Sequence, residues 1–243
     1  MTVTDTAAGA AVYSPFFLRW IYDAWVLNIS NSYAWCCLAA KQRAFYSRNL
    51  ASARPKGGPF RLCDIGVATG YYLEHAPIPE DSEVTVVDLN TNSLDAAADR
   101  CVASHPGVTT RKVHGDFLEP DAGAALAITL PRLGGEKFDA ISCMFLLHCV
   151  PGPPARKAEG LQRLAPLLKE DGVLFGTTIL GKGVEHNFFG NFLMTAYNKN
   201  GSFQNWDDDA ESIVQPLRET FADVKFEVVG TVLLFEARKP KTA

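Results

Sequence analysis

The sequence predicts a doubly wound α/β fold with a mainly parallel sheet, and three features carry this prediction. From about residue 60 onward, short apolar runs alternate with amphipathic stretches, which is the pattern of parallel strands connected by crossover helices. A glycine-bearing turn follows the first run, at the position where such folds bind ligands. The last two runs are close enough to pair as antiparallel neighbours.

Seven apolar runs are candidate strands, and they occupy 60–65, 83–88, 108–113, 137–144, 172–180, 224–229 and 231–237. The predicted helices of this region lie at 71–75, 93–104, 154–169 and 207–221. Because only Gly230 separates the sixth run from the seventh, we expect the last strand to run against the others. The expected core is therefore a seven-stranded sheet, parallel except for an antiparallel last strand.

An aromatic segment precedes the predicted sheet. Its apolar positions between residues 13 and 50 recur every three or four residues, which predicts two helices that are broken near 28–32. Some of these side chains must pack on the core, but we expect residues 1–55 to form a helical lid over a ligand pocket, with residues 56–243 as the core domain. The insertion at 181–206 combines aromatic residues with asparagines and predicts a second wall of that pocket.

Composition narrows the class of protein. The chain of 243 residues is 47% hydrophobic and 21% charged, with a net charge of −4, which argues against a nucleic-acid partner because such proteins usually carry a basic surface. No apolar run reaches the roughly 18 residues of a membrane span, and no basic leader precedes an apolar stretch. The six cysteines form no Cys-x-x-Cys pair. We therefore expect a cytoplasmic protein with reduced thiols, no metal site and no membrane contact.

The turns after the first three predicted strands carry residues suited to a nucleoside. Gly66 and Gly70 allow a tight turn after the first strand, ahead of the free amides of a helix. Asp88 ends the second strand and can accept hydrogen bonds from both hydroxyls of a ribose. After the third strand, Asp116 can accept from an exocyclic amine while Phe117 stacks on an adenine ring. Each carboxylate alone also fits a helix cap or a solvated turn, but together they indicate a bound nucleoside.

With these residues the chain resembles the class I (Rossmann-like) S-adenosylmethionine-dependent methyltransferases that act on small molecules. Residues 64–70 resemble the first motif of the family, Asp88 its ribose acid, 116–117 its adenine-contacting pair, and 138–148 its fourth-strand motif. Ala68 departs from the middle glycine that many members have. A dinucleotide dehydrogenase is the alternative, but its turn usually has glycines at the first, third and sixth positions, and here the last two are Ala68 and Tyr71.

The resemblance implies S-adenosyl-L-methionine as cofactor. The donor-binding residues that it implies are Asp64, Gly66, Ala68, Gly70, Asp88, Leu89, Asp116, Phe117 and Cys143. It further implies methyl transfer to a small organic acceptor, most readily the oxygen of an aromatic or hydrophobic molecule of specialised metabolism. The residues predicted to line the acceptor pocket are Tyr13, Tyr22, Tyr33, Trp35, Met144, Phe188 and Asn191.

Two histidines are candidate general bases, because an unperturbed imidazole with a pKa of about 6.5 can take a proton at neutral pH. His148 follows the fourth strand and His186 lies in the insertion. Packing for His148 and a solvated loop for His186 are the plainer interpretations. The alternatives for function are a donor-binding protein that catalyses another reaction, a protein methyltransferase, and a binding module with a docking aromatic N-terminus. A homodimer through the N-terminal helices stays open.

Overall fold

The computed structural model describes residues 29–241, so the predicted pocket residues Tyr13 and Tyr22 lie outside the described part. The helices are α1 Ala39–Ser52, α2 Tyr71–His75, α3 Thr91–Ser104, α4 Leu130–Leu133, α5 Pro154–Gln162, α6 Phe188–Lys199 and α7 Ala210–Thr220. The strands are β1 Arg61–Ile65, β2 Glu83–Asp88, β3 Thr109–His114, β4 Phe138–Met144, β5 Leu168–Ile179, β6 Phe221–Val229 and β7 Val232–Pro240.

The seven strands form one sheet in the order β3-β2-β1-β4-β5-β7-β6. Strands β1 to β5 pair in parallel, whereas β7 is inserted between β5 and β6 and runs antiparallel to both. The predicted fold class, including the antiparallel last strand, is confirmed. Because β3, β2, β1 and β4 are neighbouring parallel strands, the turns that follow them lie together at the carboxyl ends of the strands.

Three predicted helices have different bounds in the structure, and one of them, α3, differs only in beginning at Thr91. The helix predicted at 154–169 ends at Gln162, and a 3₁₀ turn at Ala165–Leu167 leads directly into β5. Pro166 lies in that turn and has no amide hydrogen to continue an α-helix. The helix predicted at 207–221 begins only at Ala210, because the Asp209 side chain caps it by accepting from the Ser212 amide at 2.9 Å.

The hydrophobic core has two parts, one on each face of the sheet. One part contains buried side chains of α1, α2, α3 and α6, including Tyr46, Leu73 and Met194. The other contains side chains of α5 and α7, including Leu161 and Leu217. Within residues 29–241, no helix is long and apolar enough to cross a membrane. Because α1 shares a core with the sheet, the described part of the predicted lid is an integral layer of the fold.

Candidate functional site

A cleft opens at the carboxyl ends of β1 and β4. Its lining residues are Asp64, Gly66, Val67, Ala68, Thr69, Tyr71, Tyr72, Met144 and Phe145. Four of them, Asp64, Gly66, Ala68 and Met144, were predicted as site residues. Met144 was predicted to line the acceptor pocket, and here it lies beside the glycine turn. Sequence reasoning missed the others, of which Tyr71 and Tyr72 follow Gly70 directly.

The glycine turn has the backbone that its sequence predicts. Gly66 and Gly70 both have positive φ, at 73° and 72°. A Cβ at Gly66 would come within 2.7 Å of Leu146 Cδ1, and a Cβ at Gly70 within 2.7 Å of Ala97 Cα. Both positions therefore require glycine for conformation and for space. Ala68 also has a positive φ of 45°, a left-handed conformation that is unfavourable for a residue with a Cβ.

Asp88 is held by backbone amides and keeps part of its surface exposed. Its Oδ1 accepts from the Asn90 amide at 2.8 Å, and its Oδ2 accepts a long bond from the Ala68 amide at 3.4 Å. Burial raises the pKa of Asp88 above its ordinary value, and these amide bonds oppose that shift. A carboxylate has about four acceptor positions, so Asp88 keeps acceptor capacity for a ribose hydroxyl. The neighbouring Leu89 is 41% exposed.

Asp116 and Phe117 have different surroundings. Asp116 is half-buried after β3, and its Oδ1 accepts from the Leu118 amide at 2.8 Å. The Phe117 side chain is only 7% exposed and packs on α5, where a Cβ added to Gly160 would lie 2.5 Å from Phe117 Cε1. The predicted stacking of Phe117 on an adenine is therefore corrected, because its ring belongs to the core.

Cys143 also needs correction as a cofactor contact. It is fully buried in the middle of the sheet, within the core on the α5 and α7 face. Side chains alternate between the two faces of a strand, so Met144, the next residue, lines the cleft instead. Only the backbone of Cys143 remains available to a ligand.

Asp64 is a buried carboxyl group that joins three elements. Its Oδ1 accepts from Ser142 Oγ of β4 at 2.6 Å, and its Oδ2 accepts from the Tyr46 hydroxyl of α1 at 3.2 Å. The parallel register places Asp64 beside Ser142. Burial raises the pKa of Asp64 to about 7, although both hydrogen bonds favour the charged form. Asp64 thus fixes the glycine turn to α1 and β4.

Two tyrosines of α2 line the cleft, and both contact helix α1. The Tyr72 ring stacks on Tyr46, with centroids 5.5 Å apart, and its hydroxyl donates to Gln42 Oε1 at 2.9 Å. The Tyr71 hydroxyl accepts from Arg43 Nη1 at 3.0 Å. The described part of the predicted lid therefore lies behind the residues that line the cleft and contacts them through polar side chains.

His148 is a buried residue with packing partners. It is 4% exposed, its Nδ1 accepts a long bond from the Ile179 amide at 3.4 Å, and its ring packs against Phe203 with centroids 4.5 Å apart. Burial lowers the pKa of His148 to about 3, which keeps the imidazole neutral at physiological pH. This placement favours the packing interpretation of His148.

His186 has one ring nitrogen in a hydrogen bond and one without a partner in the described part of the chain. Its Nε2 donates to the Leu180 carbonyl at 2.8 Å, so the neutral ring carries its lone pair on Nδ1. Nδ1 is buried and has no hydrogen-bond partner within residues 29–241. The ring meets Trp35 edge to face at 6.0 Å, and burial lowers the pKa of His186. Nδ1 is thus an acceptor atom that the described fold leaves unused.

The residues predicted to line the acceptor pocket differ in how far they are exposed. Trp35 is 1% exposed and packs against Phe203, so it is a core residue and the prediction that it lines a pocket is corrected. Tyr33 and Phe188 are 70% and 91% exposed, and Asn191 donates to the His186 carbonyl at 2.8 Å. Aromatic residues that were not predicted, Phe145, Phe189 and Tyr197, lie partly buried at the edge of the core.

Comparisons with known proteins agree with this geometry. The sequence profile of the methyltransferase domain family matches residues 63–174. The chain is 39% identical over 240 residues to the physcion biosynthesis cluster O-methyltransferase of Aspergillus chevalieri, covering 98% of both chains. It is also 37% identical over 243 residues to the methyltransferase aurB of Calcarisporium arbuscula, covering 94% of this chain and 96% of the relative.

A solved structure supports the fold independently. The N-methyltransferase NodS of Bradyrhizobium japonicum, in complex with S-adenosyl-L-homocysteine, superposes with a TM-score of 0.58 at 15% identity, covering 97% of this chain and 98% of NodS. This likeness concerns the fold alone, whereas the full-length relatives show common descent. The chain therefore belongs to the class I S-adenosylmethionine-dependent methyltransferases.

Proposed function

We propose that this protein transfers the methyl group of S-adenosylmethionine to an oxygen of a small hydrophobic or aromatic acceptor. The observation that carries the proposal is that the Asp64 turn, Asp88 and Asp116 lie at the carboxyl ends of β1, β2 and β3, which are neighbouring parallel strands. The name of the Aspergillus chevalieri relative, an O-methyltransferase of a biosynthesis cluster, supports oxygen as the acceptor atom and specialised metabolism as the setting.

The residues present fit the cofactor. Asp116 offers a carboxylate oxygen to the adenine amine, Asp88 keeps acceptor capacity for the ribose hydroxyls, and the glycine turn lets a ligand approach the backbone at the cleft. When bound, the cofactor supplies an electrophilic methyl group on a sulfonium. The protein's main contribution is to hold the acceptor oxygen in line with that methyl group, and orientation of this kind contributes roughly 7 to 11 kcal/mol in favourable cases.

His186 is the candidate base for a hydroxyl acceptor. With the cofactor bound, the bond between sulfur and the methyl carbon would break as the acceptor oxygen bonds to that carbon, and S-adenosylhomocysteine would leave. The proton of the hydroxyl would pass to Nδ1 of His186, the atom without a partner in the described part of the chain. The bond from Nε2 to the Leu180 carbonyl holds the ring in the required tautomer. An acceptor that is already ionised would need no base. Phe145, Phe189 and Tyr197 are the proposed apolar walls, and Tyr33, Phe188 and Asn191 remain proposed lid residues.

Calorimetric titration with S-adenosylmethionine, S-adenosylhomocysteine and NAD tests this proposal. We expect affinity in the micromolar range, about −8 kcal/mol, for the first two ligands and no binding of NAD. Binding of NAD alone would reverse the assignment of the cleft. An acceptor screen with phenols, enols, amines and thiols then follows, with the demethylated cofactor quantified by mass spectrometry. Turnover confined to amines or thiols would reject oxygen as the acceptor atom.

A further inference from the structure

The outer side of β6 is an open edge of the sheet. Strand β6 stands at the end of the strand order, and no other strand of residues 29–241 pairs with its outer side. Its pairing with β7 runs from Asp223 to Val229 without a bulge, and no proline interrupts it. Phe226 and Val228 are 41% and 40% exposed. Since edge strands are usually short, bulged or covered, this regular and partly apolar edge is a surface for a further strand.

Helix α1 does not cover this edge. Between α1 and β6 lies a groove of about 410 Å³, lined by side chains of both elements and of β7. Lys41 of α1 forms an ion pair with Glu227 at 2.6 Å, and Lys225 lies 3.8 Å from Glu236. The side chains of Glu227 and Lys225 are nevertheless 59% and 66% exposed. Ion pairs as exposed as these contribute about 1 kcal/mol or less, so both charges remain available to a second partner.

The sequence of β6 is complementary to itself when two copies run antiparallel. A two-fold axis perpendicular to the sheet keeps every side chain on the same face in both copies. With Phe226 on the axis, Lys225 of each copy faces Glu227 of the other. On the opposite face, Val224 then faces Val228, and the two Phe226 side chains meet. Cross-strand pairs of opposite charge and pairs of apolar residues both stabilise a sheet.

Other registers lose some of these pairs. An axis at Lys225 would bring the two Lys225 side chains together and would place Glu227 against Asp223. An axis at Glu227 would bring the two Glu227 side chains together. Like charges directly opposite each other destabilise a sheet. An axis at Val224 would pair Lys225 with Asp223, but it would leave the exposed Val228 beyond the end of the partner strand.

We propose that the open edge of β6 binds a second copy of this chain, antiparallel and with the two-fold axis at Phe226, so that the two sheets continue into one another. Each copy then uses the same strand, and the assembly closes without leaving an open β6 edge. Because the contact is one strand wide, we expect a reversible dimer with a dissociation constant of about 10 µM. Strands β5 and β7 separate this edge from β4, so the cleft stays accessible in both copies.

Sedimentation velocity of the full chain between about 1 and 100 µM tests the proposal. We expect the wild type to change from monomer to dimer across this range. Lys225→Glu and Glu227→Lys each place like charges in both cross-strand pairs, so each variant should dimerise at least about tenfold more weakly. An equal mixture of the two variants should recover the dimer, because every glutamate then faces a lysine. Lys112→Glu makes the same charge change on β3, the opposite edge of the sheet, and should dimerise like the wild type.

Three outcomes overturn the proposal. A wild type that stays monomeric at about 100 µM leaves the β6 edge to another occupant, either residues outside 29–241 or a different protein. A dimer that survives either charge reversal has its interface elsewhere. Two reversed variants that stay monomeric when mixed refute the pairing of Lys225 with Glu227. Circular dichroism and binding of S-adenosylhomocysteine establish that each variant is folded.

A disulfide at the axis replaces the charge variants if either of them does not fold. Directly opposed residues of antiparallel strands have Cα atoms about 4.5 to 5.5 Å apart, which is within reach of a disulfide. Mild oxidation by oxidised glutathione should therefore link Phe226→Cys into covalent dimers. The wild type, which has exposed thiols at Cys36 and Cys149, is the control under the same conditions. A Phe226→Cys variant that is linked no more than the wild type refutes the axis at Phe226.

Discussion

Asp88 and Asp64 are two carboxyl groups close to the cleft, and their different hydrogen-bond partners indicate different roles. Asp88 accepts from the backbone amides of Ala68 and Asn90 and keeps part of its surface exposed. Asp64 is 5% exposed and accepts from two hydroxyl groups of the protein. We therefore assign ligand binding to Asp88, and to Asp64 the joining of the turn to its neighbouring elements.

Asp88→Ala should weaken the binding of S-adenosylhomocysteine by about tenfold or more, because it removes charge-assisted hydrogen bonds to the ribose. Calorimetry measures the dissociation constant. Asp95→Ala is the control, since Asp95 is a surface residue of α3 that pairs with the exposed Lys112 at 2.7 Å. Equal affinity of wild type and Asp88→Ala would remove the ribose assignment.

Asp64 should make stability depend on pH with a definite sign. Burial raises its folded-state pKa to about 7, above the value of about 3.9 in an unfolded chain. The folded state therefore holds more protons between these values, and its contribution to stability is lost as pH rises through the folded pKa. Relative to Asp64→Asn, the wild type should lose about 3 kcal/mol of unfolding free energy between pH 5 and 8.

Urea denaturation at several pH values measures this difference. The comparison with Asp64→Asn is necessary because His148 contributes with the opposite sign. Its folded-state pKa is about 3, below its ordinary value, so stability from His148 increases as pH rises toward about 6.5. This contribution is the same in both proteins and cancels. A constant difference across the pH range would mean that Asp64 stays ionised.

At the residue scale, spacing predicted which residues lie at the carboxyl ends of the strands, but it gave no sign of contacts between residues far apart in the chain. Asp64, Gly66, Gly70 and Asp88 follow from their places at strand ends. Arg43 reaches Tyr71 across 28 positions of the chain, and no local pattern marks that contact. Phe117 lies in the core because glycine at position 160 leaves room for its ring, which the sequence around Phe117 does not show.

Among the elements, the insertion after β5 is anchored at its end. Lys157 of α5 donates to Asp208 Oδ2 at 2.6 Å and to the Gln204 carbonyl at 2.7 Å, and both charged side chains are at most 1% exposed. The Asp208 carbonyl accepts from the amides of Gly181 and Lys182 at 3.0 Å. The two ends of the insertion are thus tied together beside α5, and α6 spans the interval between them.

Lys157→Met should destabilise the protein by about 3 to 5 kcal/mol, because it leaves the Asp208 carboxylate buried without its partner. The double variant Lys157→Met with Asp208→Leu should recover much of this loss, since it removes both charges. Lys112→Met breaks an exposed ion pair with Asp95 and should change stability by less than about 1 kcal/mol. Chemical denaturation measures all three. A Lys157→Met loss as small as that of Lys112→Met would contradict the anchoring role.

The periodicity of the apolar residues predicted which segments are helices and which are strands. The residues at which these elements begin and end depend on individual side chains. Strand β2 and helix α2 have the predicted bounds. Helix α5 ends early because Pro166 interrupts an otherwise amphipathic pattern, and this signal was present in the sequence. The pairing of β7 between β5 and β6 depends on the whole sheet, and only the short connection at Gly230 pointed to it.

On the scale of the whole molecule, α1 and the sheet form one unit. Trp35, Tyr46 and Leu50 are each 1% exposed within the core on one face of the sheet. The Trp35 carbonyl accepts from the Thr231 amide at 2.9 Å, and Arg238 of β7 donates to Ser52 at 2.6 Å. Since these contacts join the start of the described chain to its last strands, α1 cannot leave without exposing the core.

We therefore expect α1 and the sheet to unfold in a single transition. A variant with Trp20, Trp25 and Trp206 replaced by phenylalanine leaves Trp35 as the only tryptophan, and its fluorescence reports on the contact between the segment before α1 and the core. Urea curves from this fluorescence and from far-ultraviolet circular dichroism should coincide, in the presence and absence of S-adenosylhomocysteine. If the Trp35 signal changes at lower urea than the circular dichroism, the N-terminal layer is a separate lid that opens before the core unfolds.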